Sequence, residues 1–310
     1  MRILFIGTGG FAIPMLKALL ASKHQVIGVV TQPDRPAGRG LQMRVSAVKQ
    51  VALQAGVPIH QPEKVRSEEF ISLVRELSPD AIVLAAFGQI IPKSVLDIPR
   101  FGSLNVHASI LPKYRGAAPV HHALFNGETR TGVSTMLMDP GLDTGPILLQ
   151  QEVEIRPADN EGTLEARLAE AGAALLLETL ERLGQDAISP RPQDDAQATY
   201  APSVKREECV IRWEDEAQTI VNRIRGCTPR PGAYTVWRGS PLKVWSSAAA
   251  EDAAPAGEPG EVLRAGAEGV LVRAGHGAVL LVEVQPENRK RMHASEFARG
   301  YGVVKGVRLA

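Results

Sequence analysis

Asp80-Ala-Ile-Val-Leu-Ala85 is an unbroken apolar run behind one acidic residue. A strand with one wet face alternates. A run apolar throughout needs cover on both faces, the environment of a parallel sheet between helices. Just before it, Ser67-Glu-Glu-Phe-Ile-Ser-Leu-Val-Arg-Glu-Leu77 has an N-cap serine, early acids and helical spacing. Further toward the N-terminus, Ile3–Ile6 and Val26–Thr31 read as strands around an amphipathic stretch at Phe11–Ala21. A helix near Ser46–Ala55 and an extended piece at Val57–His60 follow. On the other side, Ser103-Leu-Asn-Val-His107 is a strand, Thr131–Met138 and Ile147–Ile155 a β-pair, and Thr163–Leu183 a long helix. Strands alternating with helices give an α/β fold with a doubly wound, mostly parallel sheet.

The pattern then changes. After about residue 184 the chain is polar and carries prolines without periodicity, the composition of a linker. Short strand candidates follow at Gly232–Trp237, Leu242–Ser246, Gly260–Val262, Val270–Arg273 and Val279–Gln285, separated by Gly, Pro and Asn turns. They suggest a small β-barrel. Ala248–Gly260 reads as a surface loop. The expected division is a first domain at 1–188, a linker at 189–205 and a second domain at 206–310.

Hydrophobic residues make up 44% of the 310 and charged residues 22%, a composition that argues against disorder and fibrous architecture. No apolar run approaches the ~18 residues of a membrane helix. Met1–Gly7 reads as a strand entering a turn rather than a secretory signal, so the chain is read as cytoplasmic, unprocessed and away from membranes. Cys209 and Cys227 are read as buried small hydrophobes. Charge is uneven beneath a total of +1. Residues 151–200 set four arginines against eleven acids, whereas 286–310 set six cations against two acids and 34–49 four against one. The two basic stretches are solvated faces or contacts for a polyanion.

Gly7-Thr-Gly9-Gly-Phe-Ala12 fits the dinucleotide pattern G-x-G-x-x-A after a first strand. That pattern also wants an acid ending the second strand. Here Asp34 falls beyond Pro33, in a loop. The motif is therefore read as a tight turn, with a nicotinamide oxidoreductase as the local alternative.

Asn105 and His107 sit two apart at a strand's carboxyl end, so both side chains leave one face. Asp139-Pro-Gly-Leu-Asp143-Thr-Gly145 forms a rigid turn able to aim Asp143 inward. An amide stabilises an oxyanion, an imidazole moves protons near neutrality, and a carboxylate orients the imidazole. The three suit acyl transfer to a substrate amine without a covalent enzyme intermediate. A structural histidine and a turn-capping aspartate are the plainer readings. The Ser-Ile-Leu-Pro loop after His107 is expected to offer exposed backbone groups beside an apolar wall, suited to a flat heteroaromatic ligand.

Three blocks carry a resemblance: Gln32-Pro-Asp-Arg-Pro-Ala-Gly-Arg-Gly40, Asn105 through Pro119, and Met138-Asp-Pro-Gly-Leu-Asp-Thr-Gly145. With them the chain resembles the methionyl-tRNA formyltransferases. The second and third blocks also occur in other folate-dependent formyltransferases. The resemblance implies a Rossmann-like formyltransferase domain and an OB-like barrel. It also implies transfer of the formyl group of 10-formyltetrahydrofolate to the α-amine of methionyl initiator tRNA, without a metal. It assigns Asn105, His107 and Asp143 to catalysis and Ser109, Ile110, Leu111 and Pro112 to folate. Arg35, Arg39 and Arg44 would meet the acceptor stem, and Arg289, Lys290 and Arg291 would extend the RNA track. A monomer is expected, and a small amine acceptor is the alternative.

Overall fold

The structure is a computed structural model that describes residues 1–37, 42–250 and 257–310; for 37 and 42–44 it describes the backbone alone. In chain order the first elements are β1 (Arg2–Gly7), α1 (Ala12–Leu20), β2 (Gln25–Val30), β3 (Arg35–Ala37), β4 (Gln42–Arg44), α2 (Ala47–Gln54), β5 (Ile59–His60), α3 (Glu68–Leu77), β6 (Ala81–Ala85), α4 (Lys93–Leu96) and β7 (Ser103–His107). After these come α5 (Pro119–Phe125), β8 (Arg130–Leu137), β9 (Ile147–Glu154) and α6 (Glu161–Gly184).

Seven strands form one sheet in the order β5-β2-β1-β6-β7-β8-β9. The first five are parallel, β8 runs antiparallel to β7, and β9 runs antiparallel to β8. Every residue of β6 and β7 is buried, as an apolar run between two helical layers requires. Leu4, Ile6, Ile82 and Leu84 pack on one face against Phe70 and Val74 of α3. On the opposite face Gly172 of α6 brings that helix against Met15 of α1 and Val106 of β7. Ser67 caps α3 by accepting from the Phe70 N–H, and Ser46 caps α2 by accepting from Lys49.

Two compact units emerge. The first holds Met1–Pro119, Arg130–Glu154 and Glu165–Pro202; the second gathers Val120–Thr129, Ile155–Leu164 and Ser203–Ala310. Residues 191–201, linker-like in composition, lie against the first unit. Arg191 and Ile147 exchange both backbone hydrogen bonds, and Arg115 and Ala201 are paired by a 2.7 Å bond.

The second unit contains α7 (Ala217–Gly226), β10 (Ala233–Trp237), β11 (Ser240–Ala250), β12 (Val262–Gly266), β13 (Gly269–Arg273), β14 (Ala278–Pro286), β15 (Met292–His293) and α8 (Ala294–Tyr301). Its antiparallel sheet runs β10-β11-β14-β13-β12. The last residues close it into a barrel. Leu309 donates to Gly260 beside β12, while Ala310 exchanges hydrogen bonds with Val236 of β10. Cys209 and Cys227 are buried in this core, and the neighbouring Cys209 together with burial pushes the Cys227 thiol well above its ordinary range.

The structure departs from the sequence reading in four places. The arginine-rich loop after β2 contains a hairpin, β3–β4. Strand β11 continues through Ala250, into the stretch read as a loop, and residues 251–256 lie outside the described set. Strand β12 begins at Val262 rather than ending there. Helices α7 and α8 lie before and after the strand candidates, in stretches where the sequence reading names no element.

Candidate active site

Strand β7 delivers Asn105 and His107 to the carboxyl edge of the sheet. Its antiparallel neighbour β8 pairs Met136 with Asn105 and Ser134 with His107. The loop leaving β8 carries Asp143 back toward the same edge. Asn105 Nδ2 donates to Asp143 Oδ1 at 3.2 Å, and His107 Nδ1 lies 3.6 Å from Asp143 Oδ2. The three residues singled out in the sequence therefore converge.

The surroundings orient each group. Asp143 Oδ2 also accepts from the Gly116 N–H at 2.8 Å. Gly116 has φ 121°, and a Cβ there would meet the Ala201 carbonyl oxygen at 2.7 Å, so this turn needs glycine. His107 Nε2 lies 2.9 Å from the carbonyl oxygen of Tyr114. A carbonyl only accepts, so Nε2 carries the hydrogen. In the neutral ring Nδ1 is then the nitrogen without a hydrogen. The carboxylate also sets the Asn105 amide: its NH2 faces Oδ1, because two acceptor oxygens would repel.

The loop after His107 differs from expectation. Ser134 Oγ donates to the Ser109 carbonyl and accepts from the Leu111 N–H, while Gln150 Nε2 donates to the Leu111 carbonyl. Ser109 and Leu111 are buried. These backbone groups are committed internally, and only Ile110 and Pro112 keep partial surface.

Sequence reasoning missed other features of this edge. A cavity of about 470 Å³ is lined by Gln32, Arg35, Glu63, Phe87, Gly88 and Gln89. Gln32 Nε2 donates to the Phe87 carbonyl and Gln89 Nε2 to Gln32 Oε1, both at 3.1 Å. Ile90, in the loop after β6, is 82% exposed, and Leu142, beside Asp143, is 58% exposed. Large apolar side chains left in water at a sheet's ligand edge fit the faces of a flat ring system. Gly and Pro bracketing both loops were the available signal.

The dinucleotide features are otherwise engaged. The N–H groups of Thr8 and Gly9 both donate to the Ala86 carbonyl. Lys49 and then Gln61 hydrogen-bond the Asp34 carboxylate and hold it below the usual carboxylate range.

Of the basic candidates, Arg35 is exposed on the β3–β4 hairpin, at a register position opposite Arg44. Arg39 and the Arg44 side chain lie outside the described residues. In the second unit Arg289 and Lys290 are exposed. The Arg291 guanidinium sits 3.7 Å from the centre of the Trp245 ring, with the Lys243 ammonium 5.3 Å from it. Trp245 and Lys243 were not singled out in the sequence; a cation stacked on indole is the feature that marks them. Among the described residues no helix is long and apolar enough to cross a membrane.

Comparison with known proteins places the chain in a family. The family described as "Formyl transferase" matches residues 1–180, and its C-terminal domain family matches residues 203–302. The chain is 49% identical to the methionyl-tRNA formyltransferase of Syntrophus aciditrophicus, over 99% of this chain and 98% of the relative. It is 48% identical to that of Moorella thermoacetica with the same coverage. Among solved structures, the sugar 3N-formyl transferase WlaRD aligns with a TM-score of 0.66 at 19% identity, over 94% of this chain and 99% of the other. HypX from Aquifex aeolicus in complex with tetrahydrofolic acid aligns with a TM-score of 0.64 at 19% identity, over 99% of this chain and 48% of that one. At such identity these structures share the fold. The matches across both units and the near-complete overlap with close relatives show that the chain belongs to the methionyl-tRNA formyltransferase family.

Proposed function

We propose that this chain transfers the formyl group of 10-formyltetrahydrofolate to the α-amine of methionyl initiator tRNA, with Asn105, His107 and Asp143 as its catalytic residues. The observation that carries the reading is the convergence of these three polar side chains at one sheet edge, each with its orientation set by a neighbour. 10-Formyltetrahydrofolate supplies a formyl carbon that an amine can attack. One N–H of Asn105 is held by Asp143, and the other serves the oxygen that gains charge. Such a donor contributes about 10²–10³ in rate. His107 accepts a proton at Nδ1 from the attacking amine and returns one to the departing nitrogen. General acid–base transfer of this kind contributes about 10²–10⁴. Asp143 steadies the imidazolium from 3.6 Å.

The donor set suits the folate. Exposed Ile90 and Leu142 offer apolar faces, Ile110 and Pro112 supply the accessible part of the 109–112 loop, and buried Ser109 and Leu111 shape it from behind. Arg35, Arg39 and Arg44 meet phosphates of the acceptor stem, which contribute affinity with little sequence information. Residues 206–310 form the tRNA-binding domain, with Arg289, Lys290 and Arg291 on its RNA face. The protein is read as a cytoplasmic monomer.

The test is acceptor choice. The purified protein receives formyl-folate with methionyl initiator tRNA, methionyl elongator tRNA, free methionine or an amino-sugar nucleotide. Formyl on the initiator-bound methionine is expected. Formylation of the small amines without tRNA would overturn the reading.

A further inference from the structure

We infer that Gln193 is a positioning residue for Asp143, with Arg115 as the group that holds Gln193. The inference rests on the reading of Asp143 as catalytic. Gln193 lies in the stretch after α6, fifty positions from Asp143 in the chain. Its Nε2 donates to the backbone carbonyls of Asp143 at 2.8 Å and Gly145 at 2.7 Å. Its Oε1 accepts from Arg115 Nε at 3.0 Å. With both sides of the amide engaged, it has one orientation.

Arg115 is built for this task rather than for solvent. It is 2% exposed, and its second hydrogen bond goes to Asp195 Oδ1 at 2.7 Å. A guanidinium buried so deeply is costly unless its N–H groups are committed, so its direction is fixed. It lies between Tyr114, whose carbonyl orients His107, and Gly116, whose N–H holds Asp143. One short segment thus touches the imidazole and the carboxylate directly, and the carboxylate's backbone through Gln193.

The turn carrying Asp143 needs that support. Asp143 has φ 55°, a left-handed conformation that aspartate tolerates without favouring. The direction of its carboxylate follows from the backbone. By holding two carbonyls from one nitrogen, Gln193 sets the pitch of the turn and so the placement of Asp143 Oδ2 against His107 Nδ1. A misplacement of about 1 Å at such a contact lowers rates by up to about 100-fold.

The experiment measures kcat and both KM values for Gln193→Met, which keeps bulk and removes the amide, alone and in an Asp143→Asn background. We expect kcat to fall roughly 10- to 100-fold, with KM for folate and tRNA within about twofold. In the Asp143→Asn background the same change should cost less than about twofold, because the group it positions is gone. Gln193→Glu keeps an acceptor for Arg115 but turns carboxylate oxygens on two carbonyls. It should show the same loss in kcat, and it decides the matter if Gln193→Met does not fold. An unchanged kcat, a loss confined to KM, or an equal loss in the Asp143→Asn background overturns the inference. If Asp143→Asn alone is fully active, the catalytic reading of Asp143 fails and this inference falls with it. If Asp143→Asn is slow while Gln193→Met is not, only the positioning role fails.

Discussion

Replacing Asp143 with asparagine removes one charge and nearly nothing else by volume. The aspartate accepts two hydrogen bonds, from Asn105 at 3.2 Å and from Gly116 at 2.8 Å. An asparagine amide has one oxygen and one NH2, so either Asn105 or Gly116 then faces a donor. That mismatch costs about 1–3 kcal/mol of stability, or several degrees in unfolding midpoint for a unit of this size. The catalytic loss is separate. At 3.6 Å and an effective dielectric of about 20, carboxylate and imidazolium attract by about 5 kcal/mol gross. Water entering the site offsets part of this. A net loss of about 3 kcal/mol is a rate decrease of roughly 100-fold. The assay is a single turnover with enzyme in excess, quenched in acid and read by mass spectrometry for formylmethionine. It is run well below the variant's unfolding midpoint, with tRNA affinity measured in parallel. The account requires a slow chemical step with tRNA affinity unchanged to within about twofold. A variant within about fivefold of the parent rate, or a loss carried wholly by binding, would refute the role of Asp143.

The remaining predictions concern closure, RNA binding and pH. Leu309 is buried where the final residues join β12 to β10, so Leu309→Ala should cost about 2–5 kcal/mol in urea unfolding; a loss under about 1 kcal/mol would mean that the closure contributes little. Changing Arg289, Lys290 and Arg291 together to alanine should weaken tRNA binding. It should also flatten the log–log salt dependence by roughly 0.7–0.9 for each phosphate no longer neutralised, whereas an unchanged slope would remove these residues from the RNA face. Burial pushes the His60 imidazole below its ordinary pKa of 6.5, and among the described residues its buried Nε2 has no hydrogen-bond partner. The unfolded chain therefore takes up this proton first as pH falls below about 6.5, and stability drops from there toward the lower folded value. The denaturation midpoint should fall between about pH 7.5 and 5.5 and fall less in His60→Leu; equal slopes would contradict the assignment.

Much of the first unit was legible because its signals are local. The apolar run of β6 read as a doubly covered strand, that of β1 as a strand, and the serine before α3 marked its start. Asn105 and His107 were readable as a pair because a strand's period is two. Helix α7 was missed despite apolar residues at 217, 220, 221 and 224, a helical spacing. Its Thr, Ile and Val residues favour strand conformation, and no side chain caps its start at Glu216. Helix α8 is capped by His293 through Ser295, an uncommon cap without a sequence signal. What could not be read at all was long-range. The commitment of the Ser109–Pro112 backbone to Ser134 and Gln150 depends on the packing of β8 and β9. The hold of Gln193 on the Asp143 turn comes from a stretch that composition marks only as linker.

The account turns on direct transfer from the folate to the methionyl amine, with three side chains assisting and none becoming acylated. Rapid-quench mass spectrometry of enzyme, formyl-folate and methionyl initiator tRNA tests it most directly, because protein and tRNA are weighed in the same sample through one turnover. The prediction is that formyl appears on the methionine nitrogen while the protein keeps its mass at every time point. A formylated protein that forms and decays as formylmethionine appears would contradict it.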